Sequence, residues 1–366
     1  MSDFAIPTVD LHDLASSDLE RQEKASDAIL TAFGTYGLIY IRNHGIETER
    51  LEAFYSAFLE FTDRPEDEKE AVARPDIWFQ RGWTPPNTER AVAAGGQPDF
   101  KECYFAAPEP LDEEVARQYP EIYAENIWPE AEGAFEKHYM FIGHQLHRVG
   151  LELLRGAAAA LGLKPWAFEA GALGAPHVTR SLRYLPVTQA QIDAGVLWGE
   201  EHTDYNLLTL LPGGRFLDAA GNRTARPDDA CGLYLRTRPT EEHPNGQMLP
   251  GKPPEGCIVA QVGQQLEILT GGTFLATPHV IKAPGTTGYA RVSMAHFIHM
   301  HAHQTLFPMK PFRTAEALAA YSPPVLAGTY GTKTLVDIGL APKEALNAFG
   351  YRHYDRLDTM RANEAS

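Results

Sequence analysis

Between residues 176 and 305 the chain is a succession of short apolar runs cut apart by glycine and proline. "SLRYLPV", "LLTLLPG", "GLYLRTR", "GCIVAQVG", "LATPHVI" and "ARVSMAHFIH" follow one another in that order. Each run has the length of a strand, and most carry β-branched or aromatic residues. A strand with one apolar face must bury it against another sheet, so many short strands with frequent turns fold as a β-sandwich or barrel. Residues 217 to 230 and 237 to 256 read as surface loops between the runs.

The flanks supply helices. A helix is expected from near Ser17 to Phe33, with Ile29 and Phe33 on one face and Gly34 and Gly37 as punctuation. "GLIYIRNHGI" reads as a strand running into an Asn43-His44-Gly45 turn, in which His44 is structural. Leu51, Phe54, Tyr55 and Phe58 return to helical spacing. Residues 74 to 130 are rich in proline and glycine and read as loop, with "RGWTPPNTERAVAAGGQPDF" covering a site. Phe135, Tyr139, Ile142, Leu146, Val149 and Leu153 then form one apolar stripe, the mark of a long helix laid against a sheet. Gly162 and Pro165 end it. The tail, with "TAEALAAY", is helical in part. The expected organisation is an N-terminal region at 1–125, a supporting helix and connection at 126–175, the β core at 176–305 and a helical extension at 306–366.

Composition narrows the partners. Of the 366 residues, 44% are hydrophobic and 22% charged, as in an ordinary globular protein. Lys and Arg number 32 against 48 Asp and Glu, a net charge of −16, and no basic cluster stands out, which argues against nucleic acid. Cys103, Cys231 and Cys257 are odd in number and far apart, so no disulfide framework is implied and a reducing, cytoplasmic setting is expected. "MSDFAIPTVDLHDL" lacks the pattern of a secretory signal, and no run approaches a membrane span.

"EEHTDYNLLTLL" carries the first chemistry. Read as one strand, it places His202 and Asp204 two apart and on one face. A lone His-x-Asp is weak, since a strand end with an incidental ion pair looks the same. His279, in "TPHVI", strengthens it. Two imidazoles and one carboxylate can hold three positions of an octahedral metal and leave the others open, as non-haem Fe(II) oxygenases require. Structural zinc more often takes a fourth protein ligand. Arg291 and Ser293 are two apart on a later strand, roughly 7 Å from each other at the base. A guanidinium fork and a hydroxyl together suit a carboxylate. Arg291 lies among Val292, Met294, Ala295 and Phe297, and a buried Arg needs an anion. His299, His301 and His303 would share a face if their strand continued, but no carboxylate or Cys accompanies them, so a second metal site is disfavoured. His138, His144 and His147 read as ordinary helix residues.

Together these motifs resemble the isopenicillin N synthase-like family of Fe(II)- and 2-oxoglutarate-dependent oxygenases. "IPTVDL", "AFGTYGLIYIRNHGI", "PDFKECYF", "HTDYNLLTLL", "GLYL", "GQQLEILTGG", "TPHVI" and "ARVSMAHF" occur in the family's order. The resemblance implies a mainly β fold with flanking helices, its core a double-stranded β-helix, or jelly roll, supported by the long helix. It implies iron on His202, Asp204 and His279, and 2-oxoglutarate on Arg291 and Ser293. It implies O₂ as oxidant, a small-molecule substrate and release of succinate and CO₂. Tyr205 and Phe297 fall where relatives line the substrate pocket.

Two stretches depart from the family pattern. Arg183-Tyr184-Leu185-Pro186 stands where relatives often have Asn-Tyr-Tyr-Pro, so Leu185 is expected to replace a tyrosine beside the cosubstrate, and Arg183 becomes a candidate for an acidic substrate. Gly263-Gln264 stands where Gly-Asp is usual. The first change keeps open an oxidase of the same fold that holds a substrate carboxylate on its Arg-x-Ser pair and does not use 2-oxoglutarate. A binding protein that has lost turnover is the other alternative, and an intact ligand set speaks against it.

Overall fold

The computed structural model describes residues 5–88, 100–130, 133–239, 241 and 243–349. The strands in chain order are β1 (Thr8–Asp10), β2 (Leu38–Arg42), β3 (Gly82–Thr84), β4 (Lys101–Ala106), β5 (Val178–Tyr184), β6 (Gly199–His202), β7 (Leu208–Leu211), β8 (Arg215–Leu217), β9 (Arg223–Thr224), β10 (Gly232–Arg236), β11 (Met248–Pro250), β12 (Ile258–Val262), β13 (His279–Lys282) and β14 (Ala290–Ile298). A separate pair, β15 (Thr305–Leu306) and β16 (Val325–Leu326), follows. The larger sheet runs β1-β2-β12-β7-β14-β5-β4-β3, with β8 on the end of β14 and β9 on β8. The smaller runs β11-β10-β13-β6. Residues of both sheets line one cavity between them, the interior of a jelly roll.

Residues 74 to 130 are less loop-like than their composition suggests. They contain β3 and β4, which extend the large sheet beyond β5. All six residues of "KECYFA" in β4 are buried. A strand covered on both faces shows no apolar–polar alternation, so periodicity cannot reveal it. Glu102 is tolerated there because it is partnered, accepting from Trp83 Nε1 at 2.9 Å and Lys69 Nζ at 3.3 Å, while Lys101 on the other face lines the cavity between the sheets. The segment expected to cover the site falls partly on residues 89–99, outside the described residues. Short strands β9 and β11 also lie within the stretches read as surface loops.

After a single helical turn at Leu11–Leu14, a longer helix runs Leu19–Thr31, with the Asp18 carboxylate accepting from the Glu20 amide at 3.0 Å. It then widens into a π-type turn, Ala32–Tyr36. Gly37 closes that turn at φ 64°, and a Cβ there would lie 2.2 Å from the Leu275 carbonyl oxygen, so only glycine fits. The long helix spans Ala134–Ala160 and buries its stripe on β7 and β14. Gly150 lets it approach closely, since a Cβ would lie 2.3 Å from Ile298 Cδ1.

A polar cluster sits inside this packing. His147 of the long helix has Nδ1 3.1 Å from His296 Nε2, and His296 Nδ1 is 3.0 Å from Thr179 Oγ1. His177 donates from Nε2 to the Ala172 carbonyl at 2.9 Å and accepts at Nδ1 from the His299 amide at 3.1 Å. His147 is therefore more than an ordinary helix residue. The His299 amide faces His177 Nδ1, and only one proton fits between His147 Nδ1 and His296 Nε2, so a further N–H at those positions would meet a donor. Burial pushes the pKa of His147 down, and those of His177 and His296 far down. Glu109 and Glu169 favour the charged form of His147, but less than burial opposes it.

The sign for stability follows. The unfolded chain takes up protons on these groups near pH 6.5, and the folded protein does so only at lower pH. Stability is then full above that pH and falls as the pH drops below it, by up to about 1.4 kcal/mol per pH unit for each group. The thermal unfolding midpoint should fall between pH 7.5 and 5.5, and His147→Gln should flatten the slope. An equal slope in the variant would remove His147 from the account.

Candidate active site

The run read as one strand is two. His202 is the last residue of β6 in the small sheet, Asp204 lies on the crossover, and β7 in the large sheet begins at Leu208. Asn206 makes the break, its side-chain amide donating to the Leu208 carbonyl at 2.8 Å. His202 and Asp204 converge through this turn and not through strand alternation. His202 Nε2 is 3.6 Å from Asp204 Oδ1.

His279 opens β13 and pairs in register with His202 across the small sheet. The two rings lie 4.3 Å apart. His279 Nε2 is 3.9 Å from the same Asp204 oxygen. One donor atom from each residue lies within 4.8 Å of the other two, and this is the one such group among the described residues. Burial alone would raise the Asp204 pKa, but His279, His202 and the Thr209 hydroxyl hold its carboxyl well below the usual range. Burial, with His202 adjacent, pushes His279 down to about 4. Near neutral pH the set therefore offers a neutral imidazole at His279 and a carboxylate at Asp204.

The surrounding groups orient these donors. The His202 Nδ1–H donates to the Glu200 carbonyl at 2.7 Å, which points Nε2 at Asp204, and the Asp204 carboxylate raises the His202 pKa against burial, so a metal there takes the place of the Nε2 proton. Thr209 Oγ1 donates to Asp204 Oδ2 at 2.6 Å and leaves Oδ1 facing the rings. Gln261 of β12 places its terminal amide on His279 Nδ1, while its Oε1 is buried without a partner. Amide oxygen and nitrogen are assigned from the network. Turned over, Gln261 accepts from the Nδ1–H of His279 and frees Nε2 for a metal, in exchange for its 3.3 Å bond to the Thr277 carbonyl. Gln264, at the departure from Gly-Asp, bonds Thr203 and Tyr330 through its side chain.

Arg291 and Ser293 share the inward face of β14, with Arg291 Nη1 3.2 Å from Ser293 Oγ. Arg291 forms no ion pair among the described residues. Its guanidinium lies over Tyr184 and Phe216, at 5.5 and 6.0 Å from their ring centres. A Cβ on Gly214 would lie 2.8 Å from both Arg291 Nε and Nη2, so the glycine seats the guanidinium. The triad, Arg291 and Ser293 all line one cavity of about 460 Å³.

The other expected residues divide. Phe297 lines the cavity. Tyr205 is not among its lining residues; its ring meets that of His299 at 5.0 Å, and burial raises its hydroxyl to about 12. Arg183 and Leu185 are corrected. Neither is among the residues lining the cavity, and Arg183 bonds Asp63 and, at 2.7 Å, Thr62 Oγ1. The inward residues of β5 are Arg180, Leu182 and Tyr184, and Tyr184 pairs directly with Arg291. A strand alternates with period two, so reading the stretch one residue out of register exchanges its faces. Tyr184 lies beside Arg291 with its ring against the guanidinium. Lys101, Arg180, Thr209 and Gln261 are the site residues that sequence reasoning missed. The three tail histidines do not share a face: β14 ends at Ile298, His301 pairs with Asp112 at 3.2 Å and His303 with Gln118 at 2.7 Å.

A jelly roll with two imidazoles and a carboxylate at one end of its cavity, and a guanidinium clamp further in, defines the class of non-haem iron oxygenases. Residues 6–131 match the family model described as non-haem dioxygenase in morphine synthesis N-terminal, and residues 178–300 match that of the 2OG-Fe(II) oxygenase superfamily. Homoarginine-6-hydroxylase 2-ODD-233 of Oryza sativa subsp. japonica is 25% identical over 329 residues, 84% of this chain and 90% of that protein. Azadirone synthase LFS of Melia azedarach is 26% identical over 66% of this chain and 69% of its own. The same fold is seen in a full-length Neurospora crassa protein crystallised in complex with α-ketoglutarate and thymine, at a TM-score of 0.72 and 22% identity over 92% of this chain and 98% of that one. The rice dioxygenase for auxin oxidation shares it at a TM-score of 0.63 and 20% identity, covering 94% and 99%. The chain belongs to the 2OG-Fe(II) oxygenase superfamily: it is an oxidoreductase that uses Fe(II) and 2-oxoglutarate. No helix among the described residues is long and apolar enough to cross a membrane.

If Gln261 orients His279, Gln261→Leu should weaken binding of Fe(II) or Co(II) by about tenfold or more, with the fold retained. Anaerobic calorimetric titration measures this, and unchanged affinity would refute the role.

Proposed function

We propose that His202, Asp204 and His279 hold Fe(II), and that Arg291 and Ser293, with Tyr184 beside them, receive the far carboxylate of 2-oxoglutarate in the oxidation of a small-molecule substrate. The observation that carries this is the shared cavity: three metal-donor atoms within 4.8 Å of one another, and a guanidinium–hydroxyl pair on the large-sheet wall of the same cavity. The donor set suits iron, with oxygen and nitrogen ligands and no fourth protein ligand in the group. When bound, iron and 2-oxoglutarate activate O₂ to oxidise a substrate C–H bond, by hydroxylation, desaturation or ring closure, with release of succinate and CO₂.

The residues do the positioning. Thr209 and the Glu200 carbonyl fix which atoms of Asp204 and His202 point inward. Arg291 and Ser293 offer N–H and O–H donors to an anion, and Tyr184 and Phe216 keep water from the guanidinium face. Leu182, Phe297 and Ile281 supply apolar lining around them. No proton transfer by His202, Asp204 or His279 is needed. The match to the 2OG-Fe(II) oxygenase superfamily favours 2-oxoglutarate use over the oxidase alternative.

Anaerobic protein given Fe(II) and then 2-oxoglutarate should develop a weak visible metal-to-ligand charge-transfer band. His279→Ala should lose iron and band together. Arg291→Ala should keep iron and need about tenfold or more 2-oxoglutarate to reach the same band. Iron binding with no band would overturn the cosubstrate assignment.

A further inference from the structure

The carboxylate of the donor set sits on a turn. His202 ends β6 and β7 begins at Leu208, so residues 203–207 carry Asp204 between the sheets and lie outside the strands. Such a segment keeps one geometry only where other groups tie it down. Thr209 holds the Asp204 side chain. The main chain of the turn docks on the short helix Gln264–Leu269, which follows β12. The amides of Gly263, Gln264 and Gln265 donate to the carbonyls of Leu207, Asp204 and Asn206 at 3.0, 2.8 and 3.0 Å. Gly263 permits this approach, since a Cβ there would lie 2.1 Å from the Asn206 carbonyl oxygen.

Gln264 makes a second contact with the turn. Its Nε2 donates to Thr203 Oγ1, and its Oε1 accepts from the Tyr330 hydroxyl. Both hydroxyls can donate or accept, so the chain of bonds survives either orientation of the amide. Tyr330 belongs to the C-terminal helix Ala327–Asp337. The next residue of that helix, Gly331, lies against the Tyr205 ring, where a Cβ would be 3.4 Å from Tyr205 Cε2. One turn of the helix therefore reaches both neighbours of Asp204: Thr203 through Gln264, and Tyr205 directly. The helix has its own anchors. The amides of Ala327 and Gly328 donate to the Gln304 and Ala302 carbonyls at 2.9 and 3.0 Å, and Leu335 packs with Tyr119 and Tyr123. Its position is set apart from the relay, so the relay can transmit it to the turn.

We propose that Gln264 and Tyr330 are positioning residues for the metal centre: the Tyr330–Gln264–Thr203 relay lets the C-terminal helix hold the turn, and with it the Asp204 carboxylate, against the two imidazoles. This rests on the assignment of the metal to His202, Asp204 and His279. Neither Gln264 nor Tyr330 is among the donors or lines the cavity, so an effect of either on the metal passes through the turn. A carboxylate already held in place needs no reordering when the metal arrives, and that preorganisation adds to affinity.

The test uses the full-length apo-protein under anaerobic conditions. Hydrogen exchange read by mass spectrometry reports the docking of the turn, through the amides of residues 263–265. Calorimetric titration with Co(II) reports the metal site, and the visible Co(II) bands report its geometry. Tyr330→Phe should speed the exchange and weaken Co(II) about threefold or more, and Gln264→Met should weaken it about tenfold, each with shifted bands. In the double variant Tyr330→Phe should add nothing to Gln264→Met, because the relay is already cut. Thr203→Val cuts the relay at its other end and should reproduce Tyr330→Phe, even if Gln264→Met does not fold. Wild-type Co(II) affinity in Tyr330→Phe overturns the proposal, whether or not exchange is faster. So does an equal loss from Tyr330→Phe with and without Gln264→Met. A wild-type protein whose Co(II) uptake is absent, or unchanged by His279→Ala, while Tyr330→Phe still speeds exchange, would instead overturn the metal assignment and leave the relay as the support of the turn.

Discussion

The site depends on the in-register pairing of His202 with His279 across β6 and β13. Directly opposed residues on antiparallel strands bring their side chains within contact distance, so the small sheet alone juxtaposes two imidazoles. Asp204 joins them only because the chain leaves the small sheet there for β7 of the large one. The donor set thus spans the gap between two sheets, and its geometry is as rigid as their packing. The long helix, with Gly150 pressed against Ile298 and Leu210, holds the large sheet's outer face. Thr209 then ties Asp204 to that sheet through a single hydrogen bond.

Charge is distributed against the protein's average. The chain carries −16 overall, yet cations outnumber carboxylates along the described cavity lining. A negative surface repels anions at long range, but the effect is screened within about 8 Å at physiological ionic strength. The inside of the cavity is governed by its own walls, where low dielectric strengthens each interaction. An acidic protein can therefore hold a dianion, and net charge says little about what a buried site will take.

The fold was legible where apolar runs are continuous or follow a helical stripe. β7, β12 and β14 are buried on both faces but read as apolar runs bounded by turn residues, and the long helix shows its stripe. β4 was not, since the buried charges Lys101 and Glu102 interrupt its run within a proline- and glycine-rich stretch. The chemistry was legible as residue types: His202, Asp204, His279, Arg291 and Ser293 all line the cavity. Their convergence was partly right for the wrong reason, since a turn and not a strand brings His202 and Asp204 together. Register was the weakest link. Around Pro186 a shift of one residue moved Arg183 and Leu185 inward and hid Tyr184 and Arg180. No spacing within that stretch could correct this. The pairing partners Arg291, Ala295, Lys101 and Phe105, distant in sequence, set which face points in.

The buried histidines mark a boundary between two uses of one side chain. His202 and His279 have one ring nitrogen engaged by the protein and the other turned to the cavity. His147, His177 and His296 have neighbours within the core at the nitrogens that matter, and so serve packing. Composition cannot tell these apart, because the difference lies in the second nitrogen. A histidine whose free nitrogen meets a carboxylate oxygen across an open cavity is available to a metal. One whose nitrogens meet a hydroxyl, an amide or another imidazole inside a dry core is already satisfied. By that criterion, among the described residues, the His202–Asp204–His279 set is equipped for iron, and the inner cluster instead makes the barrel's support sensitive to acid.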